Sequence, residues 1–343
     1  MFTAAAGTVL SLLAGRAMAE TVHGVVVFTR HGDRTTKHYG AQTLTNLGTT
    51  QNFQIGGDYR ARYIESSSLT KSSTSPNSTT ASTHPSPTST PQSQPKPSTT
   101  EANPPPLNGY QYITLQGIPQ LPDAIWIKGD DNCPAVTQAS QSFESSPEFT
   151  TKLTSTREFY QSLFPVLKSV YDITSPEDLS YASAYDIYDL INVARLHNSS
   201  FPSPPSQLFQ LRTLADSAEF AYNFNASQPE RSIHARTLSS AILTQLNKTV
   251  ALEGALKFSV GGELRCVSCV FGLAGLTEVS ESFYGLPDYA STMAFELYSP
   301  ETRTSFPEEK DLWVRFCLRM GLLGVGFLAA VWDREESLSW GVY

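Results

Sequence analysis

Five consecutive residues carry most of the chemistry in this chain: Arg30-His31-Gly32-Asp33-Arg34, following directly on Val25-Val26-Val27-Phe28-Thr29. Two arginines can each grip an oxyanion with paired N–H donors. Gly32 has no Cβ, so a ligand can come close to the backbone there. Fixed positive charge on both sides of His31 favours the neutral imidazole, and a neutral imidazole is a nucleophile. The combination describes phosphoryl transfer: Arg30 and Arg34 bind phosphate while His31 attacks phosphorus in line.

Such a cluster has to be held by something rigid. The run from Gly24 to Thr29 is almost wholly apolar, as in a strand buried on both faces at the centre of an α/β sheet. In open α/β sheets ligands bind beyond the carboxyl ends of the strands, where Arg30 and His31 fall. Leu47, Phe53, Ile55, Tyr59 and Tyr63 then recur at roughly helical spacing. From Ser146 to Asn247 the chain reads as helices. Ser146-Pro147-Glu148 and Ser175-Pro176-Glu177-Asp178 are cap-type starts. Apolar stripes follow at Phe149–Leu167, Tyr185–Leu196, Leu208–Ala218 and Ile233–Leu246. Residues 109–127 and 255–298 are strand-like. This order predicts an α/β fold in which a mixed central sheet flanked by helices carries an inserted helical cap.

Composition narrows the function. A net charge of −8 over 343 residues argues against a nucleic-acid partner. No apolar stretch reaches the ~20 residues of a transmembrane span. Residues 1–19 read as a signal peptide, with an apolar run ending at Ala17-Met18-Ala19. Sequons at Asn77, Asn198, Asn225 and Asn247 fit a secreted or extracellular glycoprotein. Between residues 66 and 100, twenty-seven of thirty-five are Ser, Thr or Pro, so 66–106 reads as a disordered insert. The division that follows is 20–65 as the first part of the α/β core, 107–228 as the helical cap region and 229–343 as the rest of the core with an atypical C-terminus. Of the four cysteines, Cys266 and Cys269 form a lone CxxC without the second ligand pair of a zinc site. Three other groups are read as inert: His197 faces water, His234 and Arg236 form a solvated helix face, and Asp288 sits in a turn.

Arg30-His31-Gly32-Asp33-Arg34-Thr35 resembles the RHGxRxP/T signature of the histidine acid phosphatases, a branch of the phosphoglycerate-mutase-like superfamily. Leu44-Thr45, Gly48, Gln51, Gly56, Arg60, Arg62 and Tyr63 are similar to that family's first helix in order and spacing. Stretches at 159–163, 211–216 and 283–291 resemble its secreted fungal members. The resemblance implies a phosphomonoester hydrolase working through a phosphohistidine on His31, with Arg30 and Arg34 on the phosphate and without cofactor or metal. The ligand would be a phosphomonoester or inorganic phosphate. Two family parts are missing. A further arginine is normally carried where the Ser/Thr/Pro tract lies, and a late His-Asp pair aligns with Leu264-Arg265. Glu263 is the nearest substitute acid. The gaps leave an impaired enzyme, or alternatively a non-catalytic relative that binds phosphate-bearing ligands.

Overall fold

The computed structural model describes residues 20–64, 79–83, 115–117, 125–126, 128–170, 173–198, 200–202, 205–255, 258–262, 267–278, 280–301, 303–321, 328–332 and 338–342. Its strands are β1 (Thr21–Thr29), β2 (Thr79–Thr83), β3 (Leu115–Gly117), β4 (Phe258–Gly262), β5 (Thr292–Ser299), β6 (Trp313–Arg319), β7 (Leu328–Trp332) and β8 (Leu338–Val342). They form one mixed sheet in the order β3-β2-β4-β1-β5-β6-β7-β8. The β3, β2, β4 and β1 neighbours pair in parallel, and every pair from β1 to β8 on the other side is antiparallel. The helices are α1 (Asn46–Tyr63), α2 (Pro134–Glu144), α3 (Pro147–Gln161), α4 (Phe164–Val170), α5 (Ala184–His197), α6 (Pro205–Asn223), α7 (Ile233–Ala251) and α8 (Val267–Leu273).

The apolar run in β1 is explained by cover on both faces. Side chains alternate along a strand. Val26 and Phe28 pack with Leu238, Ile242 and Leu246 of α7 and with Val270 and Phe271 of α8. Val25 and Val27 pack on the opposite face with Ile55, Tyr59 and Tyr63 of α1. Those α1 residues recur every four positions, one helical stripe, and each buried side chain contributes about 1.5–3 kcal/mol. Leu47 and Phe53, expected on the same stripe, are instead exposed, at 39% and 45%. They lie off the Ile55-Tyr59-Tyr63 line.

The helical block from α2 to α6 has its own core, built on Phe143, Phe149, Tyr160, Leu163, Tyr181, Ile191 and Leu211. Ser146 caps α3 as its sequence suggests, accepting from the Phe149 N–H at 3.2 Å. The Ser175-Pro176 start behaves differently. It caps a single 3-10 turn, Pro176–Asp178, and α5 begins only at Ala184. Helix α2 has little local signature: its first turn has no side-chain cap and only Ala139 and Phe143 are buried.

One correction concerns the Ser/Thr/Pro stretch. Residues 79–83 within it form β2, seated between β3 and β4. They lie in the Pro-free window 77–84, and Thr suits a pleated ladder. The other residues of 66–106 lie outside the described residues, as do the 1–19 leader reading and Arg265. Cys269 is disulfide-bonded, while Cys133 and Cys317 are free thiols. No helix among the described residues is long and apolar enough to cross a membrane.

Candidate active site

Strand β1 delivers the motif. Its antiparallel ladder with β5 continues past the end of the strand, with the Arg30 N–H on the Ser291 carbonyl at 2.8 Å and the Ala290 N–H on the His31 carbonyl at 3.0 Å. Arg30 and His31 therefore lie beside the 286–291 segment that leads into β5. Gly32 is required by a close approach. A Cβ there would come within 2.2 Å of the Gly48 carbonyl in α1, and a Cβ on Gly48 would meet the Asp33 carbonyl at 2.0 Å. Backbone meets backbone at that contact, so neither position accepts a side chain.

His31 is half-buried. Its Nδ1 lies 2.8 Å from the Gly32 carbonyl. A carbonyl only accepts, so this bond places the proton on Nδ1 and leaves the lone pair on Nε2. The ring lies 5.8 Å from that of Tyr289. Arg30 lies over the same tyrosine, 4.6 Å from the ring centroid, and donates to the Pro287 carbonyl. No carboxylate pairs with Arg30 among the described residues.

Arg34 is in a different state. It is 3% exposed and bound face to face with Asp189 of α5, Nη2 to Oδ1 at 3.0 Å and Nη1 to Oδ2 at 3.2 Å. Asp189 also accepts from the Thr36 hydroxyl at 3.1 Å, the Lys37 N–H at 3.2 Å and the Tyr289 hydroxyl at 3.5 Å. Burial works against the Arg34 charge, but its bond and charge contact with Asp189 outweigh burial and hold the guanidinium more firmly protonated than usual. One donor is left over: the buried Arg34 Nε has no hydrogen-bond partner. Burial and the neighbouring Arg34 charge push the Lys37 ammonium down. It sits 4.3 Å above the Tyr185 ring. Burial pushes the hydroxyls of Tyr185, Tyr188 and Tyr289 up, so all three stay neutral donors in acid and neutral solution.

Asp33, between the two arginines, is fully buried. Its Oδ2 accepts from the Thr45 hydroxyl at 2.5 Å and lies 2.8 Å from His197 Nε2, while its Oδ1 has no partner. Thr45 also caps α1 by accepting from the Gly48 N–H at 3.1 Å. His197, expected simply to face water, thus joins the C-terminus of α5 to the motif while its side chain stays 43% exposed. His234 is likewise no surface group: it is buried, with Nδ1 3.4 Å from Asp130. Asp288 takes part in a cluster with Arg212 of α6. Arg212 donates to Asp216 at 2.8 Å, to Asp288 at 2.9 Å, to the Tyr188 hydroxyl at 3.2 Å and to the Leu286 carbonyl. The carbonyls of Leu286 and Pro287 are thereby held by two guanidiniums, Arg212 and Arg30.

Glu263 and Asn77 lie outside the described residues. Asn198 and Asn247 are exposed and Asn225 is half-buried, although Thr249, the third residue of the Asn247 sequon, is buried in α7. No group of three or more metal-ligating side chains occurs among the described residues.

No family model matches the sequence. Over 307 residues the chain is 24% identical to lysosomal acid phosphatase of Xenopus laevis, covering 83% of this chain and 68% of that protein. The apo form of Hafnia alvei phytase superposes with a TM-score of 0.53 at 11% identity, covering 88% of this chain and 84% of the phytase. The fold is that of the histidine acid phosphatases. A phytase of Klebsiella sp ASR1 is also similar, with a TM-score of 0.49 at 11% identity over 95% of this chain and 88% of that one. In this fold β1 and the loop after it carry Arg30 to Arg34, while α5 supplies Asp189 to Arg34 and α6 supplies Arg212 to Asp288.

Proposed function

We propose that this chain is a secreted phosphomonoester hydrolase of the histidine acid phosphatase type, with His31 as nucleophile and Arg30 and Arg34 on the phosphate. One observation carries the reading. The Gly32 carbonyl leaves His31 Nε2 with a lone pair, beside a cluster holding an arginine without a carboxylate and a buried, unpartnered Arg34 Nε. A buried donor left without a partner costs about 1–3 kcal/mol, and a phosphate oxygen would supply the partner. In the first step the Nε2–P bond forms as the bond to the leaving alkoxide breaks, and that oxygen takes up a proton. Water then attacks phosphorus, the P–N bond breaks, and phosphate and free His31 are restored. Glu263 is the proposed proton donor. The Leu264-Arg265 pair, standing where the family carries His-Asp, favours a second reading as a phosphate binder without turnover.

The test is hydrolysis of an aryl phosphate between about pH 4 and 7 by purified protein and by His31→Ala. The proposal expects turnover that falls by about 10³-fold or more in the variant. Turnover surviving the substitution overturns the nucleophile. An inactive wild type that phosphate still stabilises supports the binding reading.

A further inference from the structure

Building on that reading, we infer that His197 is a positioning residue for phosphate binding, and that its bond to Asp33 keeps this carboxylate from competing with phosphate for Arg34. The inference rests on two buried atoms of consecutive residues. Asp33 Oδ1 and Arg34 Nε both lack a hydrogen-bond partner. One is an acceptor with negative charge and the other a donor with positive charge, so each is what the other needs. The terminal nitrogens of Arg34 are already engaged, by Asp189 at 3.0 Å and 3.2 Å, by the Thr35 carbonyl at 2.9 Å and by the Tyr185 hydroxyl at 3.5 Å. Its Nε is therefore the donor for which phosphate and Asp33 are rivals.

Something has to hold the rival away. The backbone of Asp33 is fixed from α1 and its cap: the N–H donates to the Gln51 side chain at 2.7 Å and the carbonyl accepts from the Thr45 N–H at 3.0 Å. The carboxylate is held through Oδ2, by the Thr45 hydroxyl at 2.5 Å and by His197 Nε2 at 2.8 Å. A carboxylate only accepts, so the His197 proton in this bond lies on Nε2. Two bonds converging on one oxygen fix the direction of the carboxylate as well as its place. Thr45 alone, a rotatable hydroxyl, leaves it free to turn.

Helix α5 meets the same loop a second time. Asp189 accepts from Arg34, from the Thr36 hydroxyl and from the Lys37 N–H. Asp189 and His197 are eight residues apart, about 12 Å along the helix, and their bonds run in opposite senses. Asp189 is an acceptor for the loop's cation and His197 a donor to the loop's anion. One helix thus draws the neighbouring charges of Asp33 and Arg34 each to its own partner. The His197 side chain is 43% exposed, so substitution there disturbs little packing.

The experiment measures the Kd of inorganic phosphate by calorimetry, and KM and kcat for 4-nitrophenyl phosphate, well below the Tm of each variant. His197→Ala should weaken phosphate binding about tenfold and raise KM to match, with kcat changed less than about threefold. His197→Gln, whose terminal amide stands near the Nε2 position, should recover most of the affinity, whereas the shorter His197→Asn should behave like alanine. Adding Asp33→Asn to His197→Ala removes the competing charge and should recover affinity several-fold. A merely structural role lowers Tm and leaves Kd and KM alone. Unchanged phosphate affinity in His197→Ala overturns the inference, and His197→Asn decides the same point should the alanine variant not fold. A double variant no tighter than His197→Ala shows that His197 does not act through Asp33 and overturns it too. The binding arm needs no turnover. A wild type that binds phosphate without hydrolysing the ester defeats the hydrolase reading alone, and the Kd values then decide the inference.

Discussion

Two buried arginine–carboxylate clusters among the described residues, one around Glu296 and one around Asp189, are built to different ends. Beneath α1, Glu296 of β5 is fully buried and bound by Arg62 at 2.7 Å, by Arg315 at 2.5 Å and by the Tyr63 hydroxyl. Arg315 also grips Glu20 at 2.7 Å. No buried polar atom of this cluster lacks a partner. At the end of β1 the second cluster joins Arg34 to Asp189, yet a buried donor on Arg34 and a buried oxygen on Asp33 are left over, and neighbouring Arg30 has no carboxylate among the described residues. A buried polar group left unpartnered is a standing cost. A fully matched cluster holds a fold together, and an incompletely matched one at a strand end leaves a buried donor for which the proposed phosphate would be the partner.

The largest expected effect comes from breaking the matched cluster. Glu296→Gln leaves Arg62 without its anion and Arg315 with Glu20 alone, and should lower unfolding free energy by about 3–5 kcal/mol, read from chemical denaturation. Burial alone would raise the Glu296 pKa, but Arg62 and Arg315 outweigh it and hold the carboxyl below its usual range. A carboxyl depressed in the folded state stabilises fully above its unfolded value, about 4.3, and that contribution is lost as pH falls through the folded value. The wild type should therefore lose stability on acidification below about pH 4.3, and Glu296→Gln should lose less over the same range. Identical acid slopes would show that the cluster is not the scaffold claimed here.

Asp189→Asn tests the other side of the comparison. Its stability cost should be smaller, about 1–3 kcal/mol, since the amide keeps its acceptor oxygen for Thr36 and Lys37. The informative readout is rescue. Removing the Asp189 charge frees Arg34 to bind an added anion, so phosphate should raise the Tm of this variant by more than it raises that of the wild type. Ligand at about 100 times its Kd is worth about 2.7 kcal/mol. Glu296→Gln should gain no more from phosphate than the wild type does. Equal gains in both variants would erase the distinction between the clusters.

How much of this was legible follows from the range of the interactions. The motif, β1 and the capped start of α3 are local, written in residues within a few positions of one another. The Ile55-Tyr59-Tyr63 stripe is local too. Asp189 and His197 were missed because their partners lie 155 and 164 residues away. For Asp189 there was a signal. It stands beside Ile187, Leu190 and Ile191, all of them buried, and a carboxylate in an apolar stripe calls for a cation. His197 had no such mark, as it follows exposed Leu196 at the end of its helix. The charge account around His31 was beyond sequence altogether, because it depends on which carboxylate the fold brings to which arginine.

The smallest perturbation concerns two thiols, and it measures how closed the matched cluster is. Cys317 of β6 is fully buried, 3.9 Å from an Arg62 nitrogen. Burial, then the nearby Glu296 charge, pushes its thiol up to about 12. Since the thiolate is the reactive species, Cys317 should resist iodoacetamide at pH 8 and react only as fast as the protein unfolds. Cys133, half-buried at the start of α2, should alkylate in the native state. Mass spectrometry of the labelled protein, with and without denaturant, reads both rates. Equal labelling under native conditions would mean that the Glu296 cluster opens without unfolding, and a cluster that opens so readily could not be the rigid partner against which the ligand-ready end of β1 has been set.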